Sequence, residues 1–220
     1  RKATVSDLML KAAAKKRGHT VRIYRNAHFQ FSIDPEKPPL FYKNEVFPKP
    51  DVMIVRPGVF VNADLETSTV KQLQLLDVPV VNHYLPIVRA KNKVRTLQIL
   101  NHHGIPLPRT EVIHSLDYID AAIEKIGRFP IIMKTPHGSQ GLGVLIVESN
   151  RSLKSMLDMF GGNFKNSLII VQEYVKEAKG KDIRVFIVGG KIIAAMERKA
   201  KKGEFRSNFH LGGSVSLADL

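Results

Sequence analysis

The chain has 220 residues, enough for one large domain or two small ones with a sizeable core. Its 34 basic residues against 20 acidic ones give a formal charge of +14, which draws in polyanions (nucleic acid, nucleotides, acidic peptides) or serves as a solvated basic surface. Cysteine is absent, which excludes disulfides and thiolate metal sites and suits a reducing cytoplasm. No apolar run approaches a membrane span, and the chain, which does not begin with Met, opens without a signal peptide.

Taken in chain order, TVSDLMLKAAAKKRGHTVRIY (4–24) predicts a helix and then a strand. Val5, Leu8, Met9 and Ala12 recur at helical spacing, Gly18 stops the helix, and Val21 and Ile23 begin the strand. DVMIVRPG (51–58) reads as a second strand, 64–76 as a helix, and VPVVN (78–82) as a third strand. Strands alternating with helices predict a parallel α/β layer up to about residue 88.

The next section reads as α+β. NKVRTLQILNHHG (92–104) is a helix closed by Gly104. SLDYIDAAIEKIG (115–127) places Ile119, Ala122, Ile123 and Ile126 on one face, with Ser115 as N-cap. IIMKTPHGSQGLGVLIVES (131–149) is a strand, a glycine loop and a second strand. A helix capped by Asn150 or Ser152 follows, then a strand over 168–175. The stretch 183–199 is a hairpin turning at Gly189-Gly190, as a type I′ turn requires.

Three of these segments could carry chemistry. The glycine loop has Gly138, Gly141 and Gly143 but fails both familiar phosphate-loop patterns. Val144 and Leu145 stand where a Walker loop needs Lys and Ser or Thr, and a strand follows where a dinucleotide fold needs a helix. It reads either as a flap whose N–H groups close over an anion or as a long hairpin loop in which glycine only permits positive φ. Lys134, at the base of the loop, is either a phosphate contact or an edge-strand lysine. The second segment, VQEYVKEAKGKDIRVFIV, sets Glu173 and Asp182 beside an apolar wall that suits an adenine and a ribose, or serves as a hinge between lobes, or forms a solvated loop with surface ion pairs. In the third, ERKAKKGEFRSNFHLGG, Arg206 and Asn208 lie in a basic glycine-bounded loop that is either suited to phosphate or, as the segment alone favours, a basic surface loop. No HExxH or GxSxG pattern appears.

Four blocks, RAKNKVRTLQILNHHGIPLP, IIMKTPHGSQGLGVLIVES, VQEYVKEAKGKDIRVFIVG and AAMERKAKKGEFRSNFHLGG, together resemble the ATP-grasp superfamily. They are most similar to its RimK branch of ribosomal-protein glutamate ligases. The resemblance covers nearly the whole chain and is weakest over 25–50. It implies an α/β and α+β fold with a Rossmann-like pre-ATP-grasp domain (1–88), a central lid carrying the glycine flap (89–175) and the start of an incomplete C-terminal lobe (176–220). It implies that Lys93 and Lys134 bind phosphate while Gly138, Ser139, Gly141 and Gly143 close over it. Glu173, Tyr174, Val175 and Asp182 would hold adenine and ribose, Arg206 and Asn208 the transferred phosphate, and Arg184 the acceptor or acyl phosphate.

The implied reaction is ATP-dependent joining of a carboxylate to an amine. Glutamate would be added to an acidic acceptor, a protein C-terminus such as that of a ribosomal protein. The resemblance also implies Mg2+ or Mn2+ and a homo-oligomer. Because the family places its metal-binding acid and Glu-x-Asn pair downstream of the FRSN loop, the metal ligands are expected beyond Leu220, none is assigned within the 220 residues, and these residues alone are expected to be inactive. Two alternatives stand beside this reading: the same chemistry on an amino-acid carrier protein or coenzyme tail, and a non-catalytic nucleotide- or RNA-binding module suggested by the charge.

Overall fold

The computed structural model describes residues 3–37, 39–56, 67–136, 143–164 (backbone only over 160–164), 168–178, 180–201, 203, 206–207 and 212–218. The chain divides into two compact units, with the boundary between Val88 and Arg89.

The first unit opens with α1 (Val5–Lys16). Thr4 caps it, accepting from the Asp7 N–H at 3.2 Å while the Asp7 carboxylate accepts from the Thr4 N–H at 2.8 Å. Gly18 ends the helical segment with φ +82°. The apolar residues at helical spacing are exposed, with Val5 at 74 % and Met9 at 67 %. The strand expected at Val21 and Ile23 does not form, since these residues find no ladder partner among the described residues. Tyr24, which follows them, joins an aromatic cluster with Phe29, Tyr42 and Phe47. That cluster sits on a three-stranded antiparallel sheet, β1 (Phe29–Phe31), β2 (Leu40–Tyr42) and β3 (Glu45–Val46), in the region without a sequence assignment. The parallel pairing predicted from the alternating pattern is present: β4 (Met53–Ile54) pairs with β5 (Val80–Val81), Met53 opposite Val80. Between them α2 (Ser68–Leu75) buries Val70 and Leu73; residues 57–66 lie outside the described set. Then α3 (Tyr84–Lys91) buries Ile87 and Val88.

The second unit positions the site. Its first elements are α4 (Lys93–His102), β6 (Thr110–Ile113), α5 (Ile119–Ile126), β7 (Ile131–Lys134), β8 (Val144–Val147), α6 (Asn150–Phe164) and β9 (Ile169–Glu173). The four strands form an antiparallel sheet in the order β6-β9-β7-β8. Side chains alternate across it. Ile113, Ile131, Met133, Val147, Ile169 and Val171 face the core and meet Ile119, Ala122 and Ile126 of α5 and Leu153 of α6. Burying each of the Val, Leu, Ile and Met side chains stabilises the fold by roughly 1.5–3 kcal/mol. The alternate positions, Ile132, Lys134, Ile170 and Gln172, point to the other face, so the helix-covered core leaves that face for function.

Ser115 caps a short 3-10 turn before α5, accepting from the Asp117 N–H, and Gly127 ends α5 at φ +89°. The cap of α6 differs from expectation. Ser149 and Ser152 satisfy each other's backbone, Ser149 N–H to Ser152 Oγ at 3.0 Å and Ser152 N–H to Ser149 Oγ at 3.3 Å, because a short hydroxyl one position before the first turn reaches the free N–H groups.

The last sheet is antiparallel: β10 (Lys181–Val188), β11 (Lys191–Lys199) and β12 (Ser214–Leu217). The β10–β11 turn has Gly189 at φ +56° and Gly190 at φ +77°, the two positive values of a type I′ turn, as predicted. No helix among the described residues is long and apolar enough to cross a membrane.

Candidate active site

Lys134 stands at the end of β7 and Lys93 at the first position of α4, whose N-cap, Asn92, accepts from the Arg95 N–H at 3.1 Å. The segment after β7 joins them. Lys93 Nζ donates to the Thr135 carbonyl at 3.0 Å, and its backbone N–H donates to the Pro136 carbonyl at 3.1 Å. Burial holds the Lys93 ammonium below its ordinary pKa. Burial first, and the Lys93 charge second, do the same to Lys134. Two partly desolvated cations so placed suit an anion, since a phosphate there would offset both the desolvation and the mutual repulsion.

Lys134 is also fixed from the side. Its Nζ donates to Gln172 Oε1 at 2.5 Å, Gln172 Nε2 donates to Thr110 Oγ1 at 2.8 Å, and the Thr110 hydroxyl donates to the Pro108 carbonyl at 2.7 Å. Sheet register explains the reach: Gln172 lies directly between Thr110 and Ile132, and Lys134 is its diagonal neighbour.

The glycine loop leaves β7 through Thr135 and returns at Gly143. The Thr135 N–H donates to the Gly143 carbonyl at 3.0 Å, closing the neck. Gly143 has φ +72°, and a Cβ there would lie 2.4 Å from Thr135 Oγ1. Met133, Lys134, Thr135, Gly143, Leu145 and Ile169 line a shallow open hollow at this neck. Gly138, Ser139 and Gly141 lie outside the described residues. Gly143→Ala is expected to destabilise by about 1–3 kcal/mol through left-handed strain and the clash. Thermal melts of Gly143→Ala with and without Thr135→Ala check this: the double variant should relieve the clash and keep the strain, and a wild-type melt for Gly143→Ala would contradict the close contact.

Beyond β9 the arrangement is less direct. Glu173 accepts from the Arg109 N–H and from Arg109 Nε, each at 2.9 Å. The Arg109 backbone hydrogen bond, then the side-chain one, holds its carboxyl below the usual range. Its carboxylate is therefore engaged within the sheet, while Tyr174 is half-buried and Val175 exposed just past it. Asp182 is similarly engaged. Arg198 grips it with both arms, Nε to Oδ1 at 2.7 Å and a terminal nitrogen to Oδ2 at 2.6 Å, and Ser207 donates to Oδ2 as well. Burial pushes the Asp182 pKa up, but Arg198 and Ser207 outweigh it and the net direction is down, with the Arg184 charge adding to the effect. Arg184 itself is exposed on β10, and Arg206, half-buried, directly precedes the anchored Ser207. Asn208 lies outside the described residues.

The structure thus brings Lys93 and Lys134 together, and separately Asp182, Arg184 and the start of the FRSN loop. It adds Gln172, Thr110, Arg109 and Arg198, which sequence reasoning missed. Gln172 has one signal in sequence, being a lone amide inside an apolar strand. Among the described residues no cluster of three or more His, Asp or Glu could hold a metal ion.

A four-stranded antiparallel sheet backed by two helices, with lysines at a glycine-loop neck and a long hairpin following, is the ATP-grasp arrangement. The chain aligns with TM-score 0.70 to a crystal structure of a RimK domain ATP-grasp protein from Sphaerobacter thermophilus, at 21 % identity over 92 % of this chain and 74 % of that one. With the ATP-grasp ligase PsnB complexed with minimal precursor, the TM-score is 0.68 at 14 % identity over 100 % of this chain and 75 % of that one. The RimK PreATP-grasp domain model matches residues 1–87 and the RimK-like ATP-grasp domain model residues 90–220. A probable alpha-L-glutamate ligase of Vibrio vulnificus is 42 % identical over 98 % of this chain and 70 % of its own length. The chain belongs to the RimK family of ATP-grasp proteins. The expected family, fold class and ligase character are borne out.

Proposed function

We propose that the protein uses ATP to activate a carboxylate and joins it to the amine of glutamate, extending an acidic acceptor at a protein C-terminus. The observation that carries the ATP half is the desolvated Lys93–Lys134 pair at the neck of the glycine loop; glutamate rests on the name of the relatives. A carboxylate is a poor electrophile because oxide would have to leave. Phosphorylation at its oxygen makes phosphate the leaving group, the amine nitrogen then attacks the carbonyl carbon, and an amide forms with loss of phosphate and a proton.

In this reading Lys93 and Lys134 hold the phosphates and residues 137–143 exclude water that would hydrolyse the activated acid. Backbone groups of Tyr174 and Val175 meet the adenine, since the Glu173 carboxylate is held by Arg109. Asp182 lies toward the ribose, Arg206 and Asn208 meet the transferred phosphate, and Arg184 orients the acceptor. Residues 89–175 act as the lid and 176–220 open the C-terminal lobe. The Mg2+ or Mn2+ ion and the homo-oligomer rest on the resemblance, the cytoplasmic location is suggested by the absence of cysteine, and no described residue is assigned to the metal. Phosphate release by the full protein, measured with ATP, glutamate and a panel of acidic C-terminal peptides, is expected only when donor and acceptor are both present. Release that ignores the acceptor across the panel would overturn the reading.

A further inference from the structure

We propose that Gln172 is a positioning residue that holds Lys134 as a fixed cation without neutralising it, so that its charge is kept for a nucleotide phosphate. The inference rests on the phosphate role of Lys134. It begins from the one-way order of the hydrogen bonds. The Thr110 hydroxyl gives its proton to the Pro108 carbonyl, so its oxygen is left to accept from Gln172 Nε2, which turns Gln172 Oε1 toward the ammonium of Lys134. The reverse orientation would set an NH2 group against an ammonium. Gln172 is only 6 % exposed, so each of its polar atoms needs a partner, and Thr110 and Lys134 supply them.

The chemistry of the acceptor matters as much as its place. Among the described residues Lys134 makes no ion pair, its side-chain partner there is the Gln172 amide oxygen, and the neighbouring Lys93 charge repels it. An amide oxygen orients an ammonium and cancels none of its charge. A carboxylate of the same shape would form an ion pair, fill the site's need for an anion internally, and repel a phosphate arriving beside it. Diagonal placement across β7 and β9 fixes the geometry on two central strands rather than on a loop.

Calorimetric titration with ATP tests this on the full protein, comparing Gln172→Glu, Gln172→Leu, Lys134→Met and the Gln172→Leu/Lys134→Met pair. Gln172→Glu, the isosteric change, should weaken ATP binding about 10-fold or more. Gln172→Leu should weaken it by about 3- to 10-fold in the wild-type background and by less than about 2-fold once Lys134 is Met, because its effect passes through the lysine. Equal losses in both backgrounds would mean that Gln172 meets the nucleotide itself and would overturn the inference while leaving the phosphate role standing. Wild-type affinity in Gln172→Glu would overturn it too. Wild-type affinity in Lys134→Met would remove the reading beneath it. Should Gln172→Leu fail to fold, Gln172→Glu measured with and without Lys134→Met takes its place, a loss confined to the Lys134 background supporting the inference and equal losses overturning it.

Discussion

Lys134→Met should weaken ATP binding by roughly 30- to 150-fold, the equivalent of about 2–3 kcal/mol, with little change in the melt. The large effect comes from the surroundings of the ammonium. It is partly desolvated, beside a second lysine and without an ion pair among the described residues, so a phosphate gains most of the field that water no longer screens. The small effect on stability has the same cause. Burial lowers the Lys134 pKa, so the charged form costs the folded state free energy. Met removes that cost and keeps the aliphatic length, which offsets the donor lost to Gln172 Oε1. Titration calorimetry and a thermal melt measure the two sides. Unchanged affinity would end the phosphate assignment, and a collapsed melt would recast Lys134 as structural.

The second large effect is expected from Arg198→Ala. Arg198 is 15 % exposed and Asp182 38 %, and their two-armed contact is joined by Ser207. Without the guanidinium, the Asp182 carboxylate keeps the desolvation that raises its pKa and loses the largest influence opposing it. A fully buried pair would lose about 3–5 kcal/mol; the exposure of Asp182 reduces this to about 1–3 kcal/mol. Ser207 is tied to that carboxylate and follows Arg206 directly, so turnover should fall more than 10-fold and by more than ATP affinity does. Arg198→Lys restores charge but not the fork and should recover only part of the loss. Single-turnover kinetics beside a melt decide it, and wild-type turnover in Arg198→Ala would show that the FRSN loop needs no such anchor.

Much of the second unit was legible because its local signals agree. α5 was readable from the spacing of Ile119, Ala122 and Ile126 together with Gly127, and the β10–β11 turn from Gly189-Gly190, whose positive φ values few other residues tolerate. The first unit was less so. Val5, Leu8 and Met9 recur at helical spacing and do form a helix, but periodicity predicts that a face is apolar, not that anything covers it. Val21 and Ile23 have strand character and no strand, because a strand exists only with a partner.

The site divides along the same line. Lys93 and Lys134 were found from the order of motifs, yet neither spacing nor composition could place Gln172 against Lys134, since that contact spans 38 residues and depends on the order of the sheet. The Asp182–Arg198 contact shows the limit most clearly. Counting outward from Gly189-Gly190 sets Asp182 opposite Glu197, two acids face to face. A register shift between Phe186 and Ile187 moves the pairing by one residue and brings Arg198 there instead. The sequence alone therefore determined the family and the hairpin and singled out the two lysines, because these follow from residue type and order. Only the tertiary structure decided which side chains meet across the strands, because cross-strand partners are set by register, and one bulge changes every pair beyond it.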